Sequence, residues 1–180
     1  MIGLLLDLPN LGGIDTSFLG VLFSALWLFG VGMTFSAISQ MAFFSYLLIH
    51  RLGLGIFKSE RLWNQVQTVL ILFVFFDLVY FRYSSFADPG ESWVSYLILP
   101  LILLIASVPF AYIKAKETKS QAFVPAVFLF FVVTTMASWP ALRANDPNWI
   151  LLMMIPIFAC FVWQLLMLHR LNAETKKKSA

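Results

Sequence analysis

Charged residues are scarce in this sequence, and long stretches have almost none. Asp, Glu, Lys and Arg make up 12% of the 180 residues, whereas soluble domains contain about one quarter. Hydrophobic residues make up 61% of the chain. This composition excludes a soluble globular domain and is typical of a polytopic membrane protein. Because no polar connection exceeds about a dozen residues, we predict one membrane domain covering residues 1–180.

Cysteine and histidine are almost absent, and no catalytic motif is present. The one cysteine, Cys160, lies in an apolar segment and excludes an internal disulfide. His50 and His169 have no metal-ligating neighbours, and both fall at predicted helix ends, where a capping role fits better. The sequence contains no nucleophile elbow, zinc-protease motif or glycine-rich phosphate loop. We therefore predict no enzymatic activity, no metal and no cofactor.

Five apolar segments predict an all-α bundle of five transmembrane helices. They cover approximately residues 18–49, 62–81, 92–113, 122–139 and 149–169. Residues 1–17 contain no basic residue, so they do not have the positive region of a signal peptide. Proline inside a helix removes a hydrogen bond and usually kinks it, which membrane helices tolerate. The third and fifth segments contain such prolines: Pro100, Pro109 and Pro156.

The first segment is the longest and has the most elaborate set of small and polar residues. A helix of about thirty residues is roughly 45 Å long, against roughly 30 Å of hydrocarbon in a bilayer. We expect it to tilt, protrude or bend near its glycines. Gly32 and Ser36 have the spacing that lets helices approach closely, and Ser39 continues the same face. After Ile49 we predict a basic turn over residues 50–61.

Basic residues are concentrated on one side of the predicted topology. Ten of the twelve lie on that side: Arg51, Lys58, Arg61, Lys114, Lys116, Lys119, Arg170, Lys176, Lys177 and Lys178. The other two, Arg82 and Arg143, lie on the opposite side. The positive-inside rule therefore predicts an outer N-terminus and a cytoplasmic C-terminus. The basic excess is a topology signal with attraction to anionic membrane lipid, and it does not indicate nucleic-acid binding.

Asp77 is the one acidic residue well inside a predicted segment. An intramembrane carboxylate is costly and is a functional candidate by default. Because Arg82 and Arg143 lie on the same outer side, we predict a structural ion pair between Asp77 and one of them. The alternative is a proton or substrate site, as a small-molecule transporter or channel would use.

Amide side chains form a second polar group near the inner boundary. Asn64 and Gln67 fall on one face of the second segment. Gln40 of the first segment and Gln164 of the fifth are candidates to lie opposite them. We interpret these amides as interhelical hydrogen bonds, each worth roughly 1 kcal/mol. The alternative, a polar pocket facing the cytoplasm, stays open.

Several strings in the sequence resemble a known family. In order, they are FGVG at 29–32, SAISQMAFFSYL at 36–47, HRLGLG at 50–55, FDLVYFRY at 76–83, AYIKAK at 111–116, and WPALR at 139–143 followed by ND at 145–146. Together they resemble the KinB-signalling pathway activation family (KbaA) of endospore-forming bacilli, over roughly residues 20–170. The strings are not mechanistic motifs, and the family supplies no established catalytic residues to carry over.

This resemblance implies a non-enzymatic accessory protein of the cell membrane. Such a protein activates a membrane sensor histidine kinase that feeds the sporulation phosphorelay. Family members have another N-terminal membrane helix, which implies six segments in a longer natural form. We predict two partner-binding surfaces: the face with Gly32, Ser36 and Ser39, and the basic turn with Arg51 and Lys58. The activating signal, the oligomeric state and the directness of the kinase contact stay open.

Overall fold

The computed structural model describes residues 18–87, 90 and 92–178, and within them the side chains of residues 20–87, 90 and 92–168. Our predictions for residues 1–17 lie outside this part of the chain. The same holds for the side chains of His169 and the basic residues that follow it.

The described secondary structure is entirely helical. The helices are α1 (Phe18–Phe57), α2 (Glu60–Phe86), α3 (Val94–Glu117), α4 (Ser120–Ala137), the short α5 (Trp139–Ala144) and α6 (Pro147–Lys178). All except α5 are long and apolar enough to cross a membrane. The prediction of an all-α chain with five such helices is therefore confirmed.

Helix α1 is longer than the sequence indicated. It runs without a break for 40 residues, which corresponds to about 60 Å. The chain leaves the helix at Lys58, which has a positive φ of 52° and donates its backbone N–H to Leu54 O at 3.0 Å. Ser59 then caps α2, because its hydroxyl accepts a hydrogen bond from the Leu62 N–H. The structure thus corrects the predicted turn over 50–61: only two residues separate α1 from α2.

Helix α4 forms the centre of the bundle, and the other long helices pack around it. It contacts α1, α2, α3 and α6. In its most apolar window 56% of residues are buried, compared with 6% for α1. The fully buried side chains of α4 include Leu129, Phe130 and Phe131, so the core of the molecule lies along this helix.

The middle of α4 is a π-helical turn over Leu129–Val133. It begins where the Leu129 N–H donates to both Pro125 O and Ala126 O. Within this turn, two consecutive rings contact different neighbouring helices. Phe130 lies 5.4 Å from the Phe158 ring of α6, and Phe131 lies 6.1 Å from the Phe75 ring of α2. One segment of α4 therefore fills the space between several helices.

Prolines occur inside α3 and α6, as the sequence indicated, and both helices continue through them: Pro100, Pro109 and Pro156. At the other end of the bundle, Asn145 joins α5 to α6 in the left-handed conformation, with φ 52°. Asn tolerates this conformation better than most residues. The Asp146 carboxylate then accepts the backbone N–H of Asn148 at 2.9 Å and caps α6.

Candidate functional site

A cavity of about 210 Å³ lies at the end of the bundle where α1 meets α2 and α3 meets α4. We call this end the basic end, because Arg51, Lys58 and Lys119 lie there. Each of the five long helices contributes to the cavity, through His50 of α1, Asn64 of α2, Lys114 of α3, Pro125 of α4 and Leu165 of α6. A molecule bound in this basic-end cavity would therefore touch every long helix at once.

The lining of the basic-end cavity changes from apolar to polar towards solvent. The buried lining residues are Tyr46, Pro125, Ala126 and Leu165. The exposed lining residues are Glu60, Thr118, Lys119 and Gln121. Between these two sets lie the half-buried side chains of His50, Asn64 and Lys114. The cavity thus has an apolar floor and a rim that carries charge.

Tyr46 fixes α1 against α4 at the floor of the cavity. Its hydroxyl donates to Pro125 O at 3.1 Å. Its ring stacks on Phe128 and on His50, with centroid distances of 6.4 and 5.9 Å. A buried Tyr hydroxyl needs such a partner, and this one is supplied by backbone rather than by another side chain.

Asn64 ties α2 to the first turn of α4, and the sequence of α4 explains why. Pro125 has no N–H, so the carbonyl of Gln121, four residues earlier, receives no helical hydrogen bond from position 125. Asn64 Nδ2 donates to this Gln121 oxygen at 2.9 Å. In an apolar environment, neighbouring helices commonly satisfy carbonyls that a proline leaves free.

We expect Asn64→Ala to lower the free energy of unfolding by about 1 kcal/mol, because it leaves the Gln121 carbonyl without its donor. In a Pro125→Ala background the same change should cost much less, since alanine at this position supplies a helical N–H to that carbonyl. Unfolding titrations in detergent of the four proteins in this cycle measure the coupling. Gln65→Ala, at an exposed position of α2, is the control. Equal costs in both backgrounds would contradict the assignment.

Trp63 packs the start of α2 against α1, next to the cavity-lining residue His50. Its indole N–H donates to His50 Nδ1 at 3.0 Å, so the neutral imidazole carries its proton on Nε2. Its ring also stacks on Phe57, with a centroid distance of 5.6 Å. Gly53 makes room for the indole: a Cβ added there would lie 2.5 Å from Trp63 Cε2. Tight packing of α1 on α2 at this point therefore requires glycine.

Lys114 brings a charge into the half-buried part of the cavity. Its ammonium group donates to Leu165 O at 3.1 Å and so links α3 to α6. Lys119 and Glu60 are the other charged lining residues. Two lysines and one glutamate give the lining a net charge of +1 with His50 neutral.

The four amides that we expected near the inner boundary do not form one cluster. Asn64 alone lines the cavity. Gln164 Nε2 donates to Ser39 Oγ of α1 at 3.4 Å, whereas Gln40 is exposed. Gln67 is fully buried, and neither polar atom of its amide has a hydrogen-bond partner in the described part of the chain. Asn64 and Gln164 thus join helices through hydrogen bonds, and Asn64 also lines a polar pocket, the basic-end cavity.

The structure separates the residues of the predicted partner-binding surfaces. Ser39 is fully buried against α6, Ser36 is half-buried and Gly32 is exposed. A Cβ added at Gly32 would have no atom within 4 Å in the described structure. Arg51 and Lys58 are both exposed at the basic end. Ser39 is therefore committed to an internal contact, while the other four positions are at least partly accessible.

Asp77, Arg82 and Arg143 are not brought together. Asp77 lies exposed on α2, and among the described residues it forms no ion pair with either arginine. Arg82 Nη2 instead donates to Asn145 Oδ1 at 2.8 Å, and its guanidinium carbon lies 5.8 Å from the centroid of the Tyr96 ring. Arg143 is exposed. Asp77 does not line the basic-end cavity, so its position does not support a transport path there.

The sequence does not identify four residues of the site as site residues: Tyr46, Trp63, Lys114 and Pro125. For His50 it predicts only a capping role. A signal for α1 was available, because Tyr46, His50 and Gly53 are spaced by four and three residues and so share one helical face. Nothing in the sequence distinguishes Lys114 from other basic residues near helix ends.

The fold and the cavity define an all-helical protein with five helices apolar enough to cross a membrane. No cluster of metal-ligating side chains occurs in the part of the chain that the structure describes. A family model described as KinB-signalling pathway activation in sporulation matches residues 1–171. The chain therefore belongs to the KinB-signalling pathway activation (KbaA) family, as its sequence strings indicated.

One similar protein is the KinB-signaling pathway activation protein of Bacillus subtilis (strain 168). The two are 49% identical over 156 residues, which is 86% of this chain and 79% of that protein. No solved structure matches this chain.

Proposed function

We propose that this chain is a multi-pass protein of the cytoplasmic membrane that activates a sensor histidine kinase and catalyses no reaction itself. The kinase is the one that feeds the sporulation phosphorelay. The observation that carries this proposal is the family match over residues 1–171, together with a 49% identical relative named for activation of KinB signalling. The five apolar helices are compatible with the membrane location.

We further propose that the basic end faces the cytoplasm and that the chain forms a single membrane domain. The start of α1 then lies outside and the end of α6 lies inside. Both connections at the basic end are flanked by basic residues: Arg51, Lys58, Arg61, Lys114, Lys116 and Lys119. At the opposite end, the described part of the chain has only two basic residues, Arg82 and Arg143. This asymmetry supports the orientation through the positive-inside rule.

The partner surface that we propose is the exposed side of α1. This helix has far fewer buried residues than the central helix α4. At Gly32 and Ser36 its surface is small enough for another helix to approach closely. Arg51 and Lys58 add exposed positive charge where a kinase leaves the membrane. Binding can activate the kinase only if the active state is bound more tightly than the inactive one.

Gly32→Leu is expected to reduce kinase-dependent sporulation about tenfold, because a bulky side chain removes helix contact worth roughly 1–2 kcal/mol. The test uses a bacillus strain that lacks its own KinB-signaling pathway activation protein and expresses the variant. Spore yield and the amount of kinase recovered after mild crosslinking should fall together.

Gly30→Leu is the matched control. Gly30 is also exposed, with no atom within 4 Å of an added Cβ, but it lies two residues away and so on another side of α1. At equal protein levels it should retain spore yield and kinase recovery. No loss with Gly32→Leu, or equal loss with both variants, would contradict the helix-packing proposal.

A further inference from the structure

We propose that the basic-end cavity binds a phosphate group, and that this group belongs to a small phosphate compound or to the headgroup of an anionic phospholipid. The inference concerns a ligand site and does not rest on the proposed kinase activation.

The donors around the cavity favour an anion that is rich in acceptors. Lys114 has three N–H groups and uses one on Leu165 O, which leaves two. Asn64 uses one of its two amide N–H groups on Gln121 O, which leaves one. The hydrogen bond from Trp63 to His50 Nδ1 leaves the Nε2–H of the imidazole. Three helices thus provide further donors to one space.

These donors are held in place by hydrogen bonds to neighbouring helices. Leu165 O orients the Lys114 ammonium group, Gln121 O orients the Asn64 amide, and the Trp63 indole orients His50. Side chains that are already positioned lose less rotamer freedom when a ligand binds, so preorganisation of this kind favours affinity.

The charge of the lining points in the same direction. Among the lining residues, Lys114 and Lys119 are opposed by Glu60, and Glu117, which does not line the cavity, also attracts the Lys114 ammonium group. Glu60, Glu117 and Lys119 are all exposed and well screened by solvent, so the half-buried Lys114 supplies most of the positive field in the cavity. Lysine binds phosphate as a point charge. Charge-assisted hydrogen bonds to a half-buried ammonium group are stronger than those to a fully solvated one.

The volume and the floor of the cavity limit what else the ligand can contain. About 210 Å³ is less than the roughly 300–1,000 Å³ that drug-sized ligands occupy. The cavity therefore suits a single headgroup rather than a whole nucleotide. Its apolar floor, with Pro125 and Ala126, suits an adjacent carbon skeleton such as glycerol or the start of an acyl chain.

Binding is measured on the full chain purified in detergent, with three probes. Inorganic phosphate, compared with chloride at equal ionic strength, tests a soluble source. Short-chain phosphatidylglycerol tests a lipid headgroup, and short-chain phosphatidylcholine controls for detergent-like binding. Thermal unfolding reports binding to the folded state, and native mass spectrometry counts the bound molecules.

Lys114→Gln is expected to weaken binding about tenfold, which is the effect of losing one charge-assisted hydrogen bond. Lys119→Gln is expected to weaken it about threefold, because the charge that it removes is exposed and screened by solvent. Lys119 is exposed and carries little risk of misfolding, so it keeps the test valid if Lys114→Gln unfolds. Lys116→Gln is the matched control: it removes the same charge from an exposed residue of α3 that does not line the cavity.

Each outcome decides the proposal. Saturable binding of phosphatidylglycerol that the cavity variants weaken supports a lipid headgroup, and the same result with inorganic phosphate supports a soluble source. No stabilisation by either probe overturns the proposal. Equal weakening by Lys116→Gln overturns it as well, because the effect would then come from general surface charge. Equal binding of phosphatidylcholine, whose phosphate is balanced by the positive charge of choline, also overturns the proposal, because the cavity would then not select an anionic group.

Discussion

Phe131→Ala is expected to lower the free energy of unfolding by about 3 kcal/mol, the low end of the range for a buried phenylalanine. Phe131 is fully buried in the π-helical turn of α4 and contacts the Phe75 ring. Truncation leaves a cavity that surrounding rings fill only in part. The loss comes mainly from van der Waals contacts, since a ring released into lipid or detergent stays in an apolar environment.

An unfolding titration in detergent measures this loss. Phe73→Ala is the matched control, because Phe73 has the same side chain but is 63% exposed on α2. It should change the free energy of unfolding by less than about 0.5 kcal/mol. If the two variants were equally stable, α4 would not be the core of the bundle.

Gly53→Leu is expected to have the second large effect, a loss of about 3 kcal/mol relative to the same change at Gly55. An added Cβ at Gly53 meets Trp63 ring carbons at 2.5 Å. The indole is buried and rigid, so it must move, and movement breaks its hydrogen bond to His50. The α1–α2 packing beside the basic-end cavity should therefore loosen.

Gly55→Leu isolates this steric effect. Gly55 is exposed in the same helix, and an added Cβ there has no atom within 4 Å. Both changes replace glycine by a better helix former, which contributes a similar gain of about 1 kcal/mol to each. Comparing the two unfolding midpoints, together with Trp fluorescence, separates packing from propensity. Equal midpoints would show that Trp63 accommodates the side chain without cost.

The number and the approximate placement of the five long helices could be predicted from hydropathy, but the end of α1 could not. The stretch from His50 to Phe57 contains two glycines and the charged Arg51, and the glycines locally favour a turn. In the structure this stretch is helical, and it packs at Gly53 on the indole of Trp63, which lies outside the stretch. Tertiary packing can override local helix propensity in this way. No sequence pattern links Gly53 to Trp63, so the contact between them could not be predicted.

For the polar residues, too, the sequence predicts the position along a helix better than it predicts the contacting residue. The sequence predicts Asn64 near one end of the second helix, and its partner in the structure is the Gln121 carbonyl, which Pro125 leaves free. The ion pair predicted for Asp77 is absent from the described structure for a geometric reason. Asp77 and Arg82 are five residues apart, which puts them on different sides of α2, since only positions three or four apart are neighbours. Arg82 consequently reaches Asn145.

The central position of α4 has a consequence for how the protein is made. A ribosome delivers this helix only after α1, α2 and α3, although Tyr46 of α1 and Phe75 of α2 find their partners on it. Until α4 is synthesised, α1, α2 and α3 therefore lack the helix that all three contact. Assembly of the bundle can be completed only after α4 has been made. Chains that stop before Ser120 should be recognised by membrane quality-control proteases, whereas chains that include α4 contain the helix around which the core forms.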